Sequence, residues 1–171
     1  MRRTSFAGLE CPIARGLERV GDWWNILILR DAFRGLTRFD QFRENLGIAP
    51  SMLTRRLNAL VDGGLLERRR YCEQPPRDEY VLTARGRDFR PVLWSMLAWG
   101  NRHFAPEGPT VVLADIETGE IADPVLLDRA SGKIMTSTTF HSVPGPASKK
   151  PPRNGKSNRP DNPQTNLELM P

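Results

Sequence analysis

Behind Pro50 stand Ser51, Met52, Thr54, Arg55, Arg56 and Asn58, the outward positions of a segment whose inward positions are Leu53, Leu57, Leu60 and Val61. These side chains can read bases. Ser and Thr hydroxyls donate or accept, Arg grips guanine with two hydrogen bonds, and Asn can do the same for adenine. Downstream, Arg68-Arg69-Arg70, Gln74 and Arg77 add groups suited to phosphates. Alternation along an extended chain puts Arg68 and Arg70 on one face and Arg69 on the other. A solvated polar helix face would show some of the same residues. The adjacent arginines and the second basic cluster favour nucleic acid over that plainer reading.

The rest of the chain offers little other chemistry. Cys11 and Cys72 are too few for a disulfide framework and lack metal-ligand spacing. Neither His103 nor His141 has a cysteine within four positions. With no nucleophile–base pair or cofactor motif in view, the chain reads as a non-enzyme without cofactor or metal. Its 171 residues allow one domain with an appendage. The first 105 hold 18 Arg, no Lys and 12 acidic residues, whereas the remainder holds 7 basic and 8 acidic residues. The cationic excess thus falls on the part with the base-reading pattern, as a polyanion partner requires. No apolar run approaches the ~20 residues of a membrane span. No uninterrupted apolar stretch follows Met1-Arg2-Arg3 as a signal peptide demands. The expectation is a soluble, cytoplasmic protein.

The elements that must position these residues follow from punctuation and period. Pro12 to Val20 has Ile13, Leu17 and Val20 at helical spacing and stops at Gly21. Asp22 is placed to cap Trp23 to Phe33, an almost wholly apolar stretch expected to be the buried helix. Phe39 to Leu46 ends at Gly47, and after the turn Gly47-Ile48-Ala49 a helix opens with Pro50 and runs to about Asp62. The period then changes to two. Leu65 to Tyr71 and Glu79 to Leu82 read as strands around a turn-rich loop, Cys72 to Asp78, stiffened by Pro75 and Pro76. Thr83 caps a final helix, Ala84 to Phe104, kinked at Pro91.

That order makes 1–105 a winged helix-turn-helix of mainly α (α+β) class. Residues 106–143 read as a small β meander, with strands at Thr110–Ile116, Val125–Arg129 and Ile134–Thr139 turning at Gly119 and Gly132. It is too small to be stable alone. Residues 144–171, with seven Pro and five basic residues, read as a disordered tail.

Cys11 to Arg15, Gly21-Asp22-Trp23-Trp24, Ile28 to Asp31, Arg38 to Phe42, Ile48 to Leu57, Pro75 to Thr83 and Gly86 to Gly100 together resemble the HxlR family of bacterial transcriptional regulators. The resemblance covers about residues 8–104. It implies a homodimer on double-stranded DNA, with the first and last helices, here Pro12–Val20 and Arg85–Phe104, forming the interface. Ile13, Leu17, Leu93, Trp94, Leu97 and Trp99 are the candidate contacts, and these aromatics exceed what one small core needs. The competing reading is that the aromatics cover the β module within one chain. A two-fold dimer reads an inverted repeat. Repression is the expected role, and no effector is legible.

Two rival readings stand beside this one. The basic face could grip an acidic protein partner in place of DNA. Alternatively the regulator responds to oxidants or electrophiles through Cys11, as the resemblance implies for a cysteine near the first helix. A helix start and Arg15 would favour its thiolate. The plain reading of Cys11 is a small buried apolar residue. Family members often carry Ser where Ala49 stands, so a capping hydroxyl is missing. The β module resembles the small zinc ribbons that follow some winged helices of this family, with Thr118-Gly119 and Ser131-Gly132-Lys133 at the knuckles. It lacks their cysteines, so no metal is expected.

Overall fold

The computed structural model describes residues 10–149. The basic N-terminus and residues 150–171 of the tail expected over 144–171 lie outside the described residues. The chain divides into one compact unit ending at Met135 and a second beginning at Thr136.

The first unit runs α1 (Pro12–Val20), α2 (Trp23–Phe33), α3 (Phe39–Leu46), α4 (Pro50–Asp62), β1 (Leu66–Glu73), β2 (Pro76–Leu82), α5 (Ala84–Arg87), α6 (Arg90–Phe104), β3 (Leu113–Ala114) and β4 (Ile121–Ala122). The caps are where side-chain chemistry puts them. The Asp22 carboxylate accepts from the Trp24 amide at 3.1 Å, and the Thr83 hydroxyl oxygen from the Gly86 amide at 3.0 Å. Gly47 ends α3 in the left-handed conformation (φ 60°), which glycine adopts without penalty.

Ile28, Leu29, Phe42, Leu53, Leu57 and Leu60 are inaccessible to solvent and join α2, α3 and α4 into one core. At its heart α2 carries a fully buried carboxylate. Asp31 accepts from Arg30 Nε at 2.8 Å and from Asn45 Nδ2 of α3 at 2.7 Å. A buried charge persists only when paired in this way, so the bonds fix α3 against α2. The helix is not buried throughout, because Trp23 at its start stays 75% exposed.

The hairpin differs from the expectation. The stretch Cys72 to Asp78 is mostly strand, with Cys72 opposite Arg77 and Glu73 opposite Pro76, and only Gln74-Pro75 turn between them. Pro76 opens β2, where a missing amide proton costs no ladder bond. The register shifts between Arg70 and Cys72, leaving Tyr71 in a bulge. The hairpin is rooted in the helical core, since the Tyr80 amide donates to the Thr37 carbonyl at 2.7 Å and Arg38 bridges to Glu79.

The final helix is also two helices, not one kinked helix. α5 stops after one turn and α6 restarts at Arg90. Pro91 has no amide proton and its ring would meet the Arg87 carbonyl, so the break falls there.

The meander is replaced by two minimal hairpins. β3 pairs with β4, and Leu127 pairs with Ile134 in a single bridge. Asp115 and Asp128 explain the shortness. Asp115 Oδ1 accepts from the amides of Glu117 (2.8 Å) and Thr118 (2.9 Å), while Asp128 Oδ2 accepts from the amide (2.9 Å) and hydroxyl (2.5 Å) of Ser131. Each turn leaves through a left-handed glycine, Gly119 or Gly132. The two segments repeat one pattern, Asp-x-x-(Thr/Ser)-Gly-x-Ile, ending at Ile121 and Ile134. Side chains lock the turns and little ladder forms between them.

Candidate nucleic-acid interface

α3, the turn at Ile48 and α4 form the helix-turn-helix. Ile48 is 4% exposed and pins the turn to the core. Ala49 caps α4 through backbone geometry alone, without a side-chain hydrogen bond. Ser51, Thr54 and Arg55 are exposed on the first turns of α4, while Met52 is half-buried against the core. The Thr54 hydroxyl donates to the Pro50 carbonyl at 3.0 Å, so toward a base it offers lone pairs and a methyl group. Arg55 rests on the Met52 sulfur at 2.9 Å, and among the described residues it has no ion-pair partner.

Two of the expected base readers have other tasks. Arg56 turns inward and pairs with Asp22 at 2.5 Å, both side chains being largely shielded (14% and 17% exposed). The reason is positional, because the N-terminus of α2 lies against that face of α4. Asn58 gives its carbonyl oxygen to Arg68 Nη2 at 2.7 Å. With its acceptor engaged it ties α4 to the hairpin, and a two-bond grip on adenine would require breaking that tie.

On the hairpin the cations separate into paired and available. Arg70 donates to Asp78 at 2.6 Å and lies 3.7 Å from Glu73. The hydrogen bond from Arg70 to Asp78, then the charge of Asp78, raises the guanidinium pKa further, so Arg70 is a neutralised pair and not a free cation. Arg69 pairs with Glu67. Arg77 and Gln74 are exposed at the tip, and Arg77 has no ion-pair partner among the described residues. Arg38, which sequence reasoning did not select, stacks over Tyr71 at 4.7 Å beside the bulge. It too has no ion-pair partner among the described residues. Its position just before the third helix was the available signal.

α6 presents two different faces. Leu93 packs on the core and Leu97 looks across a groove toward Ile26 and Leu27, so these two candidate dimer contacts are turned to their own chain. By helical period Val92 and Trp99 occupy the other side, exposed at 46% and 55%, while Met96, 45% exposed, borders the same groove as Leu93 and Leu97. Trp94 and Trp99 also border a groove with Val125 and Leu126, so the β module shares α6. On α1, Ile13 and Leu17 are exposed. Cys11, expected to be buried, is exposed at the N-cap of α1.

Among the described residues no group of three or more His, Cys, Asp or Glu could hold a metal ion, and no helix is long and apolar enough to cross a membrane.

Residues 19–108 match the family described as HxlR-like helix-turn-helix. An uncharacterized HTH-type transcriptional regulator of Mycobacterium tuberculosis is 41% identical over 80% of this chain and 87% of its own length. A solved Pseudomonas aeruginosa protein assigned as a transcription factor is 51% identical, covers 82% of this chain and 96% of that one, and superposes with a TM-score of 0.61. The redox regulator HypR in its oxidized form is 33% identical over 54% of this chain and 97% of its own, with a TM-score of 0.51. These are regulators, not enzymes, and they share the helix-turn-helix described above. The chain belongs to the HxlR-like helix-turn-helix family and is a transcriptional regulator with that family's DNA-binding fold.

Proposed function

We propose that the chain acts in the cytoplasm as a homodimeric repressor on an inverted-repeat operator. The observation that carries this reading is the exposure of Ser51, Thr54 and Arg55 on the first turns of α4, flanked by the available cations Arg77 and Arg38. Those three side chains read base edges in the major groove, and Arg77, Gln74 and Arg38 meet the backbone. Arg68 and Asn58 hold helix and hairpin at a fixed angle, and Arg56 fixes α4 to α2. The dimer forms through Ile13 and Leu17 of α1 and the Trp99 face of α6.

Selection from a random DNA pool with the reduced protein at ~150 mM salt tests both halves of the proposal, since phosphate attraction alone is weak there. An enriched inverted repeat is expected. An unsymmetrical half-site would overturn the dimer, and no enrichment would overturn sequence reading in favour of an acidic protein partner.

One observation favours an added redox response. Cys11 is exposed at a helix start, and a solved relative is named a redox regulator. Diamide or quinone should then release operator DNA from the native chain and not from Cys11→Ser. Equal sensitivity of the two would end this reading.

A further inference from the structure

Between α2 and α6 lies a groove of about 490 Å³, within the range of small-molecule sites. Its walls are apolar, with Ile26 and Phe33 from α2 facing Leu93 and Leu97 from α6. The Asn101 side chain donates to the Val111 carbonyl at 2.8 Å and draws the following segment against one end. Its rim is cationic. Arg30, Arg34 and Arg90 line it, and among the described residues no carboxylate does.

The charge on that rim is not cancelled within the chain. Arg30 at 2.8 Å and Arg34 at 3.9 Å share one buried carboxylate, Asp31. Arg90 has no ion-pair partner among the described residues and is held over the rings of Phe33 (4.8 Å) and Trp94 (5.9 Å). A guanidinium fixed on aromatic faces keeps its in-plane donors free and already oriented, the arrangement that binds a carboxylate through two parallel hydrogen bonds. A second copy is a poorer occupant. It would bring its own apolar face to Val92 and Trp99, on the other side of α6, and would leave three guanidiniums here with the single carboxylate of Asp31 between them.

We propose that this groove is a binding site for a small aromatic carboxylic acid in its ionised form, with the ring between Phe33 and Leu97 and the carboxylate on Arg90. The site is independent of DNA reading, so either proposal can fail alone.

Calorimetric titration of the full chain with 2-naphthoate and with its neutral counterpart 2-naphthamide provides the test. The acid is expected to bind once per chain and the amide about tenfold more weakly, since the amide forfeits the charged pair. Arg90→Gln should weaken the acid about tenfold and leave the amide unchanged, because it removes the cation and keeps a polar side chain. Arg43→Gln, which removes an exposed cation on α3 away from the groove, should change neither. Equal affinity for acid and amide, equal losses in the two variants, one ligand per two chains or no binding would each overturn the site.

Discussion

α4 and α6 are helices of similar length, 13 and 15 residues, with opposite surfaces. α4 buries Leu53, Leu57 and Leu60 completely and shows solvent hydroxyls and a guanidinium. α6 buries no residue and shows Val92, Trp94, Met96, Trp99 and Phe104. One helix is finished within its own chain, and its polar face is free to meet a polar partner. The other keeps an apolar face exposed, the kind of surface that marks an interaction site. The contrast separates residues that make the fold from residues that use it.

The largest expected effect tests the finished side. Leu57→Ala should cost about 2–5 kcal/mol in denaturant unfolding, since it opens a cavity in a closed core. Trp99→Ala should leave the dilute chain within about 0.5 kcal/mol, as surface changes do. It should weaken self-association, read by ultracentrifugation. If Trp99→Ala unfolds the chain as Leu57→Ala does, the contrast collapses.

Gly86→Ala sharpens the same contrast from the junction of the two halves. A Cβ there would lie 2.1 Å from the Leu65 carbonyl oxygen, so a loss of about 1–3 kcal/mol is expected at the thermal midpoint.

On DNA the effects separate by contact type. Arg55→Ala should cost about 1–3 kcal/mol on the operator and broaden the selected sequence. Arg77→Ala should weaken all DNA alike and reduce the salt slope by about one. An intact preference in Arg55→Ala would remove that side chain from base reading. Smaller again is Ala49→Ser, which supplies the absent cap hydroxyl and should stabilise by roughly 0.5–1 kcal/mol.

The smallest effect concerns the β turns. Hydrogen bonds from Thr118 and Glu117 hold Asp115 below the usual carboxylate pKa, and bonds from Ser131 do so for Asp128. A lowered folded pKa means the turns are fully supported above the unfolded value and lose support as pH falls through the folded one. Amide resonances of Thr118 and Ser131 should therefore shift at acidic pH below the ordinary Asp range. Titration at the ordinary value would show that these bonds do not form in solution.

Much of the helical scaffold is legible in the sequence because Gly21, Asp22, Gly47, Pro50 and Thr83 carry local chemistry that starts or stops a helix wherever it occurs. What depends on a distant partner is not legible in that way. Arg56 looks outward by period and turns inward because Asp22 waits across the interface. The pairing of Arg70 with Asp78 was within reach. Once the turn is placed at Gln74-Pro75 the two stand opposite each other, but the prolines made the whole stretch resemble loop. Pro91 was ambiguous because a kink and a break share one local signal, and burial elsewhere chooses between them. The turns at Gly119 and Gly132 were legible, but the strands around them are shorter than alternation suggests because each hairpin is held by one Asp side chain and not by a long ladder.

Asp22 does two jobs with one carboxylate, accepting from the Trp24 amide and holding Arg56. Capping tolerates exchange, since Ser, Thr or Asn would serve nearly as well. The ion pair does not, because none of these carries charge. The selective consequence is an asymmetry of mutational paths. An exchange at position 22 that keeps the cap still strands the shielded Arg56 guanidinium, so the side chain that starts α2 also constrains how α4 is held, and the two roles cannot drift apart.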